Sequence, residues 1–596
     1  MKKIWRIHQH DTGRVSDLSR SARIKPFLAQ LLLARGISSP DQVQPFLHPK
    51  LTMLRHPNEL PGCAEAAEKI LAAAKSGKRI VIYGDYDADG VTATAILWRC
   101  LKLLDADVGY HIPHRIEEGY GLNEDVLRRL LDRSGTKPAD LIVTVDCGIT
   151  STKEAEVVRQ LGAELVITDH HTPGEVLPCA TAIVHPRRPG DFYPFGELSG
   201  AGVAYKLAWA ICEQASGATR VGTEMRNFLL QATALAALGT VADVVPLLDE
   251  NRALVSYGIT SLAERPCLGL KKLIDVASVK KRRSNQGGAY SADSDIAFSL
   301  APRINAAGRL GQASLALELL ITDREERATE LAAHLDQLNE NRKTLSERIR
   351  RAADKQIKEL FNAEEDPAFV LADHDWNPGV IGIVAGRLVE KYNRPVVVIA
   401  WDKFGMKPGI GSARSVPHFN LVEGLNACSH HLVSHGGHAA AAGLKIDEKN
   451  IEPFRSEFCE IVASELDGKN DAEELRIDAE GTLCEFTFDS IGDMESMAPF
   501  GEGNKRPLLC ASGVHLVGPP QFMGKTKTHL SMTLTQHEVR LRAIAFGAAE
   551  WAETLEKHTG PIDVAFHPLI NEFAGRQSVE LQIVDWRPSQ TAHNTN

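Results

Sequence analysis

The run YGDYDADG, residues 83–90, sets Asp85, Asp87 and Asp89 on alternate positions just ahead of a glycine. Two carboxylates about 4 Å apart repel by about 4 kcal/mol at an effective dielectric of about 20, so such a cluster calls for a cation among them. A calcium loop of the helix–loop–helix kind would end in a bidentate glutamate at its twelfth position. Counting from Asp85, that position is Ile96, which binds no cation. The preceding RIVIYGD also reads as a buried strand, not as the helix such a loop follows. Three further stretches add ligand types: VDCG with Asp146, TDHH with His170 and His171, and VADVVPL with Asp243. Carboxylates with one or two imidazoles and no thiolate suit Mn2+ or Mg2+ better than zinc. A shared carboxylate, for which Asp146 is placed, could bridge two ions about 3.5–4 Å apart. Such a pair lowers the pKa of a bound water and polarises a phosphoryl oxygen on both flanks of an in-line attack. A lone aspartate at a strand end is more often a helix cap, and a lone histidine a packing residue. The case rests on their sum.

The elements that must position these groups are legible as periodic runs. RIVIYGD, DLIVTVDCG and AELVITDHH are short apolar strands that end at the acidic sites, and VTATAILWRCLKLL and STKEAEVVRQLG between them have helical spacing. Alternating strands and helices predict a parallel, doubly wound α/β sheet, and ligands of such sheets bind at the carboxyl ends of the strands. NFLLQATALAALGTVADVVPL predicts a buried helix that breaks near Gly239, with Asp243 just beyond. The basic stretch SVKKRRSNQGGAYSAD, 278–293, reads as an exposed excursion; the insert Lys280 to Arg283 within it has no assigned role. From Asp323 to Leu360, Leu331, Leu335, Leu338, Leu345 and Ile349 recur at helical spacing without glycine or proline. They predict one long helix of about 50 Å at 1.5 Å per residue. A second α/β unit starts at PAFVLADHDW and ends with LVSHGGHAAAAGLKI, where glycines and a histidine precede small residues and a strand. Beyond about residue 470 the texture is all β, and short alternating strands fit a small Greek-key barrel of the OB type.

Bulk properties narrow the class. With 596 residues the chain is multidomain. Its net charge of −10 and pI near 6.1 argue against a general nucleic-acid coat, though not against one local groove. No run of about 18 apolar residues spans a membrane, and no secretory signal opens the chain. Ten scattered cysteines, without a C-x-x-C pair, fit a reduced cytoplasmic protein with no structural zinc.

Taken in order, DYDADG, VDCG, TDHH and VADVVPL resemble the DHH phosphoesterases. With APRINAAGRLG, DWNPGVIGIVAGRL, GSARS, HGGHAAAAG and MAPFGEGNKRP, the resemblance narrows to the bacterial single-strand-specific 5′→3′ DNA exonucleases of that superfamily and covers about residues 20 to 585. It implies an N-terminal segment over 1–60, a DHH catalytic domain over 61–322 and the connecting helix over 323–362. A DHH-associated α/β domain over 363–465, an OB-fold nucleic-acid-binding domain over 466–588 and a disordered tail over 589–596 complete the expected division. It implies Asp87, Asp89, Asp146, His170 and Asp243 as metal ligands, with Asp85 in the same loop, and two Mn2+ or Mg2+ ions per site. His171 would meet the scissile phosphate, so that His171 and Asp146 are the catalytic pair. Arg115, Arg303, Asn305, Arg309, Ser412 and Arg414 would face the DNA backbone or its 5′ end, as guanidinium groups bind phosphate bidentately. Gly436, Gly437 and His438 would let backbone approach the substrate closely, a role that tight packing could equally give the glycines. Phe486, Phe522 and Phe546 are potential base-stacking residues or barrel core, and Lys525, Lys527, Arg540 and Arg542 are candidates for backbone contact. The expected partner is single-stranded DNA, with a single-strand-binding protein and a RecQ-type helicase as further partners of a monomer in DNA repair and recombination. Two rival readings remain: a phosphoesterase acting on small molecules or short oligonucleotides, and a non-catalytic scaffold. The terminal β domain weighs against the first, and the complete ligand set against the second.

Overall fold

The computed structural model describes residues 3–134, 137–218, 220–279, 290–363, 365–466, 474–573 and 575–589. The basic insert and nearly all of the expected tail lie outside them. A short N-terminal strand, β1 (Ile4–Ile7), precedes three small helices. The first sheet then contains β2 (Ile80–Tyr83), β3 (Val108–His111), β4 (Leu141–Thr144), β5 (Glu164–Thr168) and β6 (Ala182–Val184). All are parallel, in the order β3-β2-β4-β5-β6. Every residue of β2 and β4 is buried, as expected for strands covered by helices on both faces. The order reverses between β2 and β4, so their carboxyl ends open the crevice where the acidic loops emerge.

Three helices pack around that crevice. Helix α1 (Ala88–Leu103) follows β2 directly, α2 (Gly200–Ser216) lies against it, and α3 (Thr223–Ala242) packs on both. Helix α3 runs through Gly239 to Ala242, with Asp243 as its C-cap, so the break expected near Gly239 does not occur. Glycine is there for contact, not for a turn: a Cβ at 239 would fall 2.4 Å from both Asp89 Oδ1 and Thr92 Oγ1.

Farther on, α4 (Ala301–Arg309) lines the crevice, and α5 (Glu325–Leu360) is the long helix, 36 residues without interruption. Its N-terminal half buries Leu331, Leu335 and Leu338 against the first core, while Ile349, Ala353 and Ile357 join the core of the second α/β unit. One amphipathic stripe thus serves both domains. The second sheet has β7 (Phe369–Asp373), β8 (Val396–Ala400), β9 (Gly409–Arg414), β10 (Leu432–His438) and β11 (Ala441–Ile446). Its order is β10-β11-β9-β8-β7, flanked by α6 (Ile381–Tyr392) and α7 (Ile451–Leu466). The HGGH run is itself part of the exposed edge strand β10, hairpinned to β11.

The last part contains β12 (Glu474–Ile477), β13 (Ala479–Glu480), β14 (Leu509–Leu516), β15 (Gln521–Met523), β16 (His529–Gln536), β17 (Val539–Ala545), β18 (Ile562–Phe573) and β19 (Arg576–Pro588). Strands β14-β18-β19-β17-β16 form a ring that the β14–β16 pairing closes, the barrel topology of an OB-fold. Two helices, Phe488–Glu495 and Trp551–Lys557, interrupt the all-β texture expected here. Strand β1 pairs in parallel with β12, and Leu18, Leu28, Leu31 and Leu32 from the N-terminal helices share the barrel core. No helix among the described residues is long and apolar enough to cross a membrane.

Candidate metal centre and nucleic-acid interface

Local chemistry brings each acid to the crevice. Asp87 caps α1, its carboxylate accepting from the Asp89 and Gly90 N–H groups. Asp89 sits in the first turn of α1, where its two oxygens accept from Gly200 N–H at 2.6 Å and Ala201 N–H at 2.9 Å, the first amides of α2. An N-terminal amide pair is the natural seat for an anion. Asp146, just past β4, has φ of 62°, a conformation that a non-glycine residue adopts only under constraint. Gly200 leaves room for it, since a Cβ there would fall 2.5 Å from Asp146 Oδ1.

The side chains meet as two half-sites. Asp85, Asp87 and Asp146 place one ligand atom each within 4.8 Å of one another, as do Asp89, His170 and Asp243, and Asp146, His170 and His171 link the two sets. His170 Nε2 lies 3.1 Å from Asp146 Oδ1, 3.5 Å from Asp243 Oδ2 and 3.9 Å from Asp89 Oδ2. Asp85 Oδ1, Asp146 Oδ1 and His170 Nε2 are buried atoms without a hydrogen-bond partner. Buried polar atoms normally find partners. Three unpartnered ones facing a shared space, in a set of five carboxylates and a neutral imidazole, fit divalent cations of the Mn2+ and Mg2+ class. None of the five carboxylates forms an ion pair with lysine or arginine among the described residues.

Without a cation the electrostatics are adverse. Burial, with the Asp87 charge, pushes Asp89 up to about 7, and burial, with the Asp89 charge, pushes Asp243 up to about 9. Asp85 and Asp146 are held well above the usual carboxylate range by burial first and by neighbouring carboxylates second. Burial holds His170 down to about 3, the neutral form that ligates metal. Asp169 behaves oppositely. Its Oδ1 accepts from the His170 and His171 N–H groups and lies 2.8 Å from His171 Nδ1, while Oδ2 accepts from Ile149 N–H. Burial opposes ionisation, but these bonds and the His171 charge outweigh it and hold Asp169 at about 2. In the same way burial opposes, and the Asp169 hydrogen bond outweighs, so that His171 is raised to about 9. Asp169 therefore sets the orientation and charge of His171 and stands outside the ligand sets. Tyr120 reaches the same ring, its hydroxyl 3.1 Å from His171 Nδ1 and donating to Asp146 O at 3.3 Å. Neither Asp169 nor Tyr120 is among the site residues expected from the sequence. The bracing of Asp169 has a local signal, a carboxylate two residues before a histidine at a strand end; Tyr120 has none.

Opposite the acids lies a basic face. Arg309 is half-buried, donates to Gly379 O, and is depressed to about 10 by desolvation and by Arg115, Arg342 and Arg414. Arg414 is lowered by burial and by Arg115, and donates to Ser412 Oγ on the same strand. Arg115 stacks 4.9 Å over the Tyr86 ring. Arg342 on α5 is lowered by burial and by Arg387 of α6. None of these five pairs with a carboxylate among the described residues. Arg342 and Arg387 escape the sequence reading because only tertiary packing shows that α5 and α6 bring them together.

Other expected positions act differently. Arg303 forms an ion pair with Asp336 of α5 at 2.7 Å and donates to Ser299 O, which ties α4 to the long helix. Asn305 Oδ1 accepts from Ala88 N–H at 2.8 Å and so braces the acidic loop itself. Gly436, Gly437 and His438 lie exposed on β10, the edge strand of the second sheet. On the barrel, Phe486 is core at 4% exposure, whereas Phe522 and Phe546 stand out at 53% and 55%. Lys525, Lys527 and Arg540 are exposed, and Arg542 is paired with Glu580 at 3.1 Å.

The doubly wound sheet and its acid-lined crevice define the class. The family model for the DHH family, N-terminal domain, matches residues 79–239, that for the DHHA1 domain 365–464, and that for the RecJ OB domain 477–585. The chain is 37% identical to the single-stranded-DNA-specific exonuclease RecJ of Bacillus subtilis over 98% of its own length and 71% of that protein. It is 34% identical to that of Haemophilus influenzae, covering 96% of this chain and 97% of the relative. Among solved structures, Thermus thermophilus RecJ in complex with Mn2+ superposes with a TM-score of 0.80 at 32% identity, over 99% of this chain and 80% of that one. The Mg2+ complex gives 0.74 at 30% identity, over 99% and 79%. The chain belongs to the RecJ family of DHH proteins.

Proposed function

We propose that this chain is a metal-dependent exonuclease that hydrolyses phosphodiester bonds of single-stranded DNA from the 5′ end and releases mononucleotides. The observation that carries this reading is the pairing of an acid cluster lacking cations with an arginine face lacking acids, across one crevice. Asp85, Asp87 and Asp146 would hold one Mn2+ or Mg2+ ion, and Asp89, His170 and Asp243 the other, with Asp146 between them. When bound, such a pair supplies an activated water and polarises the phosphoryl oxygen. Asp169 holds His171 as an imidazolium through Nδ1, which leaves the Nε2–H to donate to the scissile phosphate. Arg115, Arg309 and Arg414 with Ser412 seat the 5′-terminal phosphate or the first backbone phosphates, and Arg342 and Arg387 extend that track along α5 and α6. Exposed Phe522 and Phe546 offer stacking surfaces for bases farther along the strand. A single strand alone would be admitted, so a helicase supplying it and a single-strand-binding protein are the partners, and the cytoplasm the compartment, that this reading calls for.

The test uses end-labelled single strands carrying or lacking a 5′ phosphate, with Mg2+, Mn2+ or EDTA. Mononucleotides should leave from the 5′ end, faster with the phosphate, and EDTA should stop the reaction. Equal release from both ends, or release in EDTA, would contradict the reading.

A further inference from the structure

A second convergence of ligand atoms lies outside the crevice. His430 and His431 sit in one tight turn, Ser429–His431, directly before β10, and Glu457 faces them from α7. The two imidazole Nε2 atoms lie 3.0 and 2.8 Å from the same carboxylate oxygen, Glu457 Oε2. The ring centroids are 4.0 Å apart at 45°, and one ligand atom from each residue falls within 4.8 Å of the others. We propose that His430, His431 and Glu457 form a separate metal site that takes a borderline transition ion of the Zn2+ class.

Donor chemistry distinguishes this site from the crevice. Two imidazoles and one carboxylate are a three-ligand set that zinc uses with a fourth position open to water. The crevice, dominated by carboxylate oxygen, suits harder ions. A hydrogen bond alone explains the geometry poorly. Glu457 Oε2 is served by His431, and the His430 side chain, 60% exposed, is free to turn to water. Its Nε2 nevertheless points to the same oxygen. The turn is fixed in advance: Asn450 Nδ2 donates to His431 O at 3.1 Å, and His431 N–H donates to Cys428 O at 3.0 Å. Cys428 is buried in the apolar core of the second domain and stands outside this three-ligand group. An ion here would tie the root of β10 to the helix behind it, and β10 is the edge strand that carries Gly436, Gly437 and His438.

Equilibrium dialysis of the full chain against micromolar Zn2+, with millimolar Mg2+ present to fill the crevice, tests the site by elemental analysis of bound zinc. The wild type should hold one zinc per chain more than a His430→Ala, His431→Ala double variant, and Glu457→Gln should weaken that zinc at least about 10-fold. Equal zinc in wild type and double variant would overturn the proposal. Co2+ substituted for Zn2+ gives a second readout that does not depend on activity. Intense tetrahedral absorption in the wild type and its loss in the double variant support the site; identical spectra overturn it. All three substitutions are at least partly solvent-exposed and leave the crevice untouched, so Mn2+-dependent nuclease activity of the double variant near the wild-type level separates this site from the catalytic one.

Discussion

The two walls of the crevice are built on opposite plans. On the DHH side, five aspartates converge with only imidazole beside them, and the metal-free protein holds several of them partly protonated. On the facing side, Arg115, Arg309, Arg342, Arg387 and Arg414 crowd together without a carboxylate, and burial and mutual repulsion depress three of them. Elsewhere the same chain pairs its charges freely, as in Arg350 with Glu347 and Asp354 on the long helix. The difference teaches that neither wall is finished by the polypeptide. In the proposed function cations would complete one and phosphates the other, and a phosphate bridging the two would satisfy both at once.

The sharpest way to break this contrast is to remove the carboxylate between the half-sites. Asp146→Ala should lower kcat on the order of 10³-fold or more, since metal stabilisation of the transition state is worth several kcal/mol and each 1.36 kcal/mol is tenfold. Affinity for single strands, measured by fluorescence anisotropy, should survive, because the arginine wall is untouched. Asp169→Asn should act next most strongly. It leaves the ligands in place but removes the charge that holds His171, so kcat should fall about 10–100-fold with KM little changed. On the other wall, Arg414→Ala removes a charged phosphate contact worth about 1.5 kcal/mol or more. KM for 5′-phosphorylated strands should then rise about 10-fold, while strands lacking the phosphate change less. Phe546→Ala on the barrel should weaken long strands by about 1 kcal/mol, roughly fivefold, and leave dinucleotides unaffected.

The smallest effect is on stability in EDTA. Asp89, Asp243 and His171 have folded-state pKa values raised to about 7, 9 and 9. A raised pKa means that the folded form binds the proton more tightly, so its contribution is complete below the unfolded value and is lost as pH climbs through the folded one. His170, depressed from 6.5 to about 3, acts in the opposite sense, but only below 6.5. Between pH 6.5 and 9 the melting temperature of the metal-free protein should therefore fall, and Mn2+ should remove most of that slope. A flat profile in EDTA would show that the acids do not repel one another as described.

Much of the acid wall was readable because its signals are local: a strand of β-branched residues, then an aspartate at its carboxyl end, three times over. The long helix was readable for the same reason, since Leu331, Leu335 and Leu338 repeat at its period. The failures lie where distant parts meet. Gly239 looked like a helix break, yet it serves an approach between α3 and α1 that no spacing reveals. Phe486, Phe522 and Phe546 share one alternating texture, and only closure of the barrel decides which points inward. Arg303 pairs with Asp336 and Asn305 Oδ1 accepts from the Ala88 amide, contacts that no spacing reveals. Conversely, no spacing singles out Arg342 or Arg387; packing alone sets Arg342 near Arg309 and Arg387 near Arg342.

The most direct measurement is Mn2+ binding followed by electron paramagnetic resonance, on wild type and Asp146→Ala, before any DNA is added. Two bound ions, magnetically coupled as a pair about 3.5–4 Å apart is, with the coupling lost in the variant, are what the unfinished acid wall predicts. Uncoupled or absent Mn2+ in the wild type, or a coupled pair that persists in Asp146→Ala, would contradict it.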